Sequence, residues 1–226
     1  MAESKRGPSD IPRERLERFA ESCREVVRQG LVSCSSGNAS ERESEELMLA
    51  TSTRTWLGEM EADQVAVCRV EDGECVNGLL PTVEIGFHAG VLRARPDMNV
   101  VLHVQTPHAT AIGCLPPSGR SFHVIPEVPY YIGTVGRVAY AAPGSRRLAE
   151  TVSKAMRTHD LAIMENHGLV VAGKDFRDAI QKASFFELAC RILLIGGDDV
   201  RPIPNKETES LLELHRQKGS ASTKGA

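Results

Sequence analysis

Apolar positions recur at two periods along the chain, and the switch between them marks out its elements. Between residues 11 and 29, Leu16, Phe19, Ala20, Cys23, Val26 and Val27 fall at helical spacing, which predicts an amphipathic helix closed by Gly30. Ser9 or Asp10 is its expected cap, with Pro12 tolerated in the first turn. LMLATS (47–52) and QVAVCRV (64–70) read as strands, the second followed by the turn signal Asp72-Gly73. Residues 84–93 read as a helix ended before Pro96, residues 99–105 as a strand, and Thr106-Pro107 as a helix start with a capping hydroxyl. FHVIPEV (122–128) and VAYA (138–141) are short strand candidates, and 145–158 is a helix. LAIMEN (161–166) and LVVAG (169–173) are strands interrupted at His167-Gly168, before a last helix over 176–194. Helices and strands mix without a βαβ rhythm, which predicts one α/β domain over 10–197 with a largely antiparallel central sheet. Residues 1–9 read as a flexible leader and 198–226 as a polar tail, disordered over its last eight residues, GSASTKGA.

Composition narrows the function classes. A chain of 226 residues that is 41% hydrophobic can bury one good core. A formal net charge of −3 gives no electrostatic reason to expect nucleic acid or an acidic membrane as partner. Cys23, Cys34, Cys68, Cys75, Cys114 and Cys190 are scattered, as in a protein with reduced thiols. The beginning MAESKRGPSDIPRERLERF carries no apolar export run, and no stretch approaches 18 apolar residues, so a cytoplasmic location is expected.

Four places hold residues with chemistry: Gly37-Asn38 in a serine-rich turn, Glu84 at a helix start, His103 at a strand end, and His167 in Glu165-Asn166-His167-Gly168. Residue 105 shares the face of residue 103 on a strand, so a second histidine there would complete a His-x-His metal clip; the chain has Gln105, and then His108 on the other parity. Taken together, SSGNAS (35–40), TSTR (51–54), LPTVE (80–84) followed after three residues by His88, VLHVQ (101–105) and ENHG (165–168) resemble the class II aldolase/adducin family in order and spacing. The resemblance runs from about residue 14 to 196 and is nearest to the sugar-phosphate aldolases of the L-fuculose-phosphate type.

That resemblance implies a three-layer αβα fold with a mostly antiparallel central sheet, and a homotetramer with sites at subunit interfaces. It implies a divalent metal, zinc first, held by His103 and His167 at the family's first and third histidine positions, with Gln105 at the second. It makes Glu84 the acid/base residue and places a substrate phosphate against Gly37, Asn38, Thr53 and Thr82. His88 is structural in the family. The implied reaction is retro-aldol cleavage of a short ketose phosphate to dihydroxyacetone phosphate and an aldehyde. The same scaffold also carries dehydratases and decarboxylases of sugar phosphates, and, in adducin, an interaction module without the metal.

The chain departs from the pattern where substrate and metal meet it. Gln105 offers an uncharged, harder donor than imidazole, which opens manganese or magnesium as alternatives to zinc. Arg54 stands where the family has glycine, as a bidentate clamp for phosphate or carboxylate or as a surface residue. Val83 replaces a serine hydroxyl. Family aldolases use a tyrosine from a C-terminal tail on the aldehyde side. This tail has none, which leaves Tyr130 or Tyr131, reaching in from a neighbouring subunit, against the alternative of a packed pair.

Overall fold

A computed structural model of the chain describes residues 11–222. At its centre lies a seven-stranded sheet in the order β3-β2-β1-β4-β7-β6-β5. The strands are β1 (Asn38–Arg42), β2 (Leu47–Thr51), β3 (Val65–Arg69), β4 (Val100–Val104), β5 (Val135–Val138), β6 (Leu161–Met164) and β7 (Gly168–Gly173). Five of the neighbouring pairs run antiparallel and β5 runs parallel to β6. Both faces are covered, so β2, β3, β4, β6 and β7 are apolar at nearly every position rather than alternating with polar residues. Leu49, Val67, Leu102, Ile163 and Val171 face one core, with α1 (Arg13–Arg28) and α5 (Phe176–Gly196) over them. Ala50, Ala66, Val101, Ala162 and Ala172 face the other, under α2 (Ile85–Ala94) and α4 (Arg146–Ala155). This is the expected three-layer αβα arrangement, and the small residues of the second face leave room there for buried polar side chains.

Five local expectations change. The pattern gave no strand at 38–42, yet β1 is central in the sheet, with Ala39 and Ser40 fully buried. The strand expected over 122–128 is absent: Pro126 and Pro129 cannot serve a ladder, and the segment leads into a π-helical turn at Val128–Ile132. The strand expected at 138–141 lies earlier, as β5. Most of the segment read as a polar tail forms α6 (Asn205–Ser222), which buries Leu212 and donates from His215 Nδ1 to the Tyr130 carbonyl at 3.3 Å. Residues 1–10 and 223–226 lie outside the described residues, but α1 begins only at Arg13 with Pro12 at its N-cap position and no side-chain cap bond, so the cap expected from Ser9 or Asp10 is corrected. Among the described residues no helix is long and apolar enough to cross a membrane.

The helix α3 (Pro107–Cys114) is capped from outside. Thr106 makes no side-chain cap bond to it. The Glu187 carboxylate of α5 instead accepts from the backbone N–H of His108 at 2.9 Å and of Ala109 at 2.8 Å, and contacts His108 Nδ1 at 2.7 Å. His108 is thus held locally, away from the expected metal position. Burial pushes the Glu187 carboxyl up, but the Thr106 hydroxyl and these N–H donors outweigh it and leave the group below its ordinary value. Glu187→Ala is expected to cost about 1–2 kcal/mol, the scale of a lost helix cap. Because the folded-state value is depressed, that contribution is complete above the ordinary glutamate range and fades as the pH falls through it. Urea titrations of both proteins at neutral and acid pH read the difference, which should shrink in acid.

Candidate metal and acid/base site

Glu84 reaches the sheet because two loops are stitched together beneath it. Ser52 pairs with Pro81, the Thr53 N–H donates to the Leu80 carbonyl, and the Thr82 N–H to that of Thr51, both at 2.9 Å. Thr82 is buried, and its hydroxyl accepts from the Glu84 N–H at 3.3 Å. Glu84 therefore occupies the N-cap position of α2, yet its carboxylate makes no cap bond. It is 5% exposed and lies between two imidazoles: Oε2 is 3.5 Å from His103 Nε2, and Oε1 is 3.4 Å from His167 Nε2.

Each histidine is presented by the backbone. His103 sits on β4 with Phe87 edge-on at 6.1 Å, and its Nδ1–H donates to the Leu169 carbonyl of β7 at 2.8 Å. That bond fixes the tautomer and leaves Nε2 unprotonated toward Glu84. His167 belongs to the turn between β6 and β7, where Asn166 has φ +54°, a conformation asparagine tolerates. Gly168 follows for a steric reason: a Cβ there would lie 2.6 Å from the Val104 carbonyl oxygen, 3.0 Å from Gln105 Cγ and 3.2 Å from His103 Cε1. The same contacts put Gln105 beside His103. Gly168→Ala should force β4 and its side chains away from the turn and weaken divalent-metal affinity at least about tenfold, since ligand positions tolerate little displacement. Isothermal titration with zinc checks this, and wild-type affinity would count against it.

The site has the character of a cation site. The ligand atoms of Glu84, His103 and His167 all lie within 4.8 Å of one another. Glu84 Oε1 and His167 Nδ1 are buried with no hydrogen-bond partner, a costly state for polar atoms. Burial first, and then the neighbouring His103, holds His167 below its ordinary value against the opposing pull of Glu84, so the ring is neutral and able to ligate at neutral pH. Two imidazoles and a carboxylate are a donor set suited to a divalent cation.

The other expected residues divide. Gly37 (φ +90°) stands where β1 meets β4, and a Cβ would come 2.7 Å from the His103 carbonyl oxygen. Asn38, expected at the phosphate, faces inward: Nδ2 donates to Glu84 Oε2 at 2.9 Å and Oδ1 accepts from His88 Nε2 at 2.6 Å. His88 is fully buried, contacts Ser40 Oγ through Nδ1 at 2.8 Å, and is pushed down to about 3 by burial and then by His103. Thr53, Arg54 and Thr82 share the stitched loops, and Arg54 is exposed with φ +61°. Tyr130 and Tyr131 are not brought to this cluster in the chain. They stack edge-on at 4.8 Å under α6, with Lys218 Nζ 3.6 Å from the Tyr130 ring centre. There they line a cavity of about 670 Å³ with Asp160, Lys182 and His215. Sequence reasoning missed Ser40, whose signal lay in its spacing of two from Asn38.

With this geometry in hand, the chain can be set beside known proteins. A family model described as the class II aldolase and adducin N-terminal domain matches residues 17–194. A 3-oxo-tetronate 4-phosphate decarboxylase of Pectobacterium atrosepticum is 30% identical over 82% of this chain and 85% of its own. An L-fuculose phosphate aldolase of Methanocaldococcus jannaschii is 31% identical over 80% of this chain and 96% of its own. Among solved structures, YgbL of Klebsiella pneumoniae superposes with a TM-score of 0.80 at 26% identity, covering 89% of this chain and 99% of that one.

Proposed function

The chain belongs to the class II aldolase and adducin family, and on that premise we propose that it is a metal-dependent decarboxylase of a phosphorylated 3-oxo sugar acid of the 3-oxo-tetronate 4-phosphate kind. The observation that carries the reading is the trio of buried Glu84 and His103 with half-buried His167, in which Glu84 Oε1 is free of hydrogen bonds. The 3-oxo-tetronate 4-phosphate decarboxylases among its relatives favour loss of CO₂ over the aldol cleavage expected from the motifs.

His103 and His167 would hold the ion with Glu84 beside them, and Gln105 as a further donor. The two imidazoles favour zinc, and a Gln105 oxygen would shift preference toward manganese or magnesium. When bound, a divalent ion polarises the substrate carbonyl and draws off the electron pair that C–C cleavage releases. In the 3-oxo acid the C1–C2 bond breaks, its electrons move toward the C3 carbonyl, and C2 then takes up a proton. Glu84 is the group placed to move that proton. Gly37, Thr53 and Thr82 would receive the phosphate, through backbone N–H groups and hydroxyls. Arg54 carries a side chain in a backbone region that costs about 1 kcal/mol for a non-glycine residue. An exposed guanidinium so placed suits the carboxylate of a sugar acid.

The assay is product analysis with metal-replete protein: CO₂ from 3-oxo-tetronate 4-phosphate against aldehyde from L-fuculose 1-phosphate. Aldehyde without CO₂ would establish the second reading, the aldolase, which the similarity to the fuculose phosphate aldolases supports. An interaction module without metal has no use for three donors gathered this closely, and absence of metal binding would restore it. We extend the proposal to a cytoplasmic homotetramer. Sedimentation velocity tests the assembly.

A further inference from the structure

We infer that Asn38, His88 and Ser40 form a proton-ordered hydrogen-bond chain that positions Glu84, so that the Asn38 carboxamide serves the acid/base residue and not the substrate phosphate. The inference rests on the acid/base reading of Glu84 given above. Its frame is a match of two repeats. Asn38 and Ser40 are two apart on β1, an advance of about 6.8 Å. Glu84 and His88 are four apart at the start of α2, an advance of about 6 Å. The strand and the helix can therefore close two rungs at once, Asn38 to Glu84 at 2.9 Å and Ser40 to His88 at 2.8 Å, with a diagonal from His88 to Asn38 at 2.6 Å.

The chemistry of the groups then orders every proton. Asn38 presents Nδ2 to Glu84 Oε2, and an amide nitrogen only donates, so the carboxyl oxygen is the acceptor. Asn38 Oδ1 is left to accept, so His88 must carry its proton on Nε2. His88 Nδ1 is then bare, and the Ser40 hydroxyl donates to it. The ring is neutral in this arrangement, as its complete burial favours. His88 thus decides which way Asn38 faces. Without its donor the amide can flip and set an oxygen against the carboxylate. With it, Glu84 Oε2 is tied down and Oε1, buried and without a hydrogen bond, stays turned toward His167. Asn38, His88 and Ser40 are positioning residues.

Two measurements test the chain. Long-range ¹H–¹⁵N spectra of imidazole-labelled protein at neutral pH should show His88 as the Nε2–H tautomer; an Nδ1–H tautomer overturns the inference whatever the protein catalyses. Kinetics with metal-replete protein should show N38A losing about 100-fold in kcat, the scale of a misplaced catalytic group. KM and inhibition by inorganic phosphate should stay unchanged. H88L should match that loss, and the N38A/H88L pair should be no worse than N38A alone, because the two act as one unit. H88Q places an amide donor near the Nε2 position and should recover to within about tenfold of wild type. Intact kcat with raised KM and weakened phosphate inhibition in N38A would make Asn38 a phosphate ligand and overturn the inference. If H88L does not fold, H88Q and N38A still decide. If wild type turns over neither substrate, the reading of the reaction fails, and the tautomer decides the chain by itself.

Discussion

Glu84→Gln, assayed at saturating divalent metal, is expected to lose about 1,000-fold or more in kcat with little change in KM, at the upper part of what general acid/base catalysis contributes. The substitution is nearly isosteric. The glutamine oxygen can take the Asn38 hydrogen bond now received by Oε2, and the amide nitrogen then replaces Oε1 beside His167. What changes is the chemistry, because an amide neither takes nor gives a proton near neutral pH. The metal should still bind, since His103 and His167 remain and the Leu169 carbonyl still fixes the His103 tautomer. An amide nitrogen in place of Oε1 has no lone pair or charge to offer a cation, so affinity should fall and the assay needs saturating ion. Metal content by atomic emission, measured on the same samples as kcat, separates the two effects. Near-normal turnover would remove Glu84 from its role.

The parts of this molecule that were legible in its sequence are those where one physical demand acts alone. Helices α1 and α5 follow from apolar spacing, and β2, β3, β4, β6 and β7 from short apolar runs between turns. The strand β1 was hidden because NASER serves two demands at once. It must span the sheet between β2 and β4, and it must hold Asn38 and Ser40 for α2, so its buried positions include polar residues that read as loop. α6 was hidden for the opposite reason: it covers the π-helical turn mainly with Leu212, His215 and Lys218, too little apolar surface to stand out in a polar segment. The site divides in the same way. ENHG is readable because each residue meets a separate need: Glu165 pairs with Arg137, Asn166 takes a positive φ, His167 faces Glu84, and Gly168 lets β4 approach. The side-chain partners of Asn38, Glu84 and His88, were not legible, because family spacing fixes the position of a residue and not the partner of its side chain.

His167→Ala should remove the metal and the activity together while leaving the metal-free protein close to wild type in stability. In the metal-free chain the imidazole is a burden: its Nδ1 is buried without a partner and its neutral form is imposed by burial. Deleting it relieves that cost, which offsets the packing lost from a turn whose backbone is set by Asn166 and Gly168. The two proteins should part only when metal is added. A ligand that binds only the folded state stabilises it by RT ln(1 + [L]/Kd), about 2.7 kcal/mol at a hundredfold excess over Kd. Wild type should therefore gain several degrees in Tm on adding zinc or manganese, and the variant should gain nothing at the same concentration. Without His167 the site keeps a single imidazole, His103, beside the oxygens of Glu84 and Gln105, a weaker set than the paired imidazoles that Glu84→Gln retains, so kcat should drop to background at that metal concentration. Stoichiometric metal in purified His167→Ala, or a metal-dependent rise in its Tm equal to that of wild type, would refute His167 as a ligand and leave the trio without its cation.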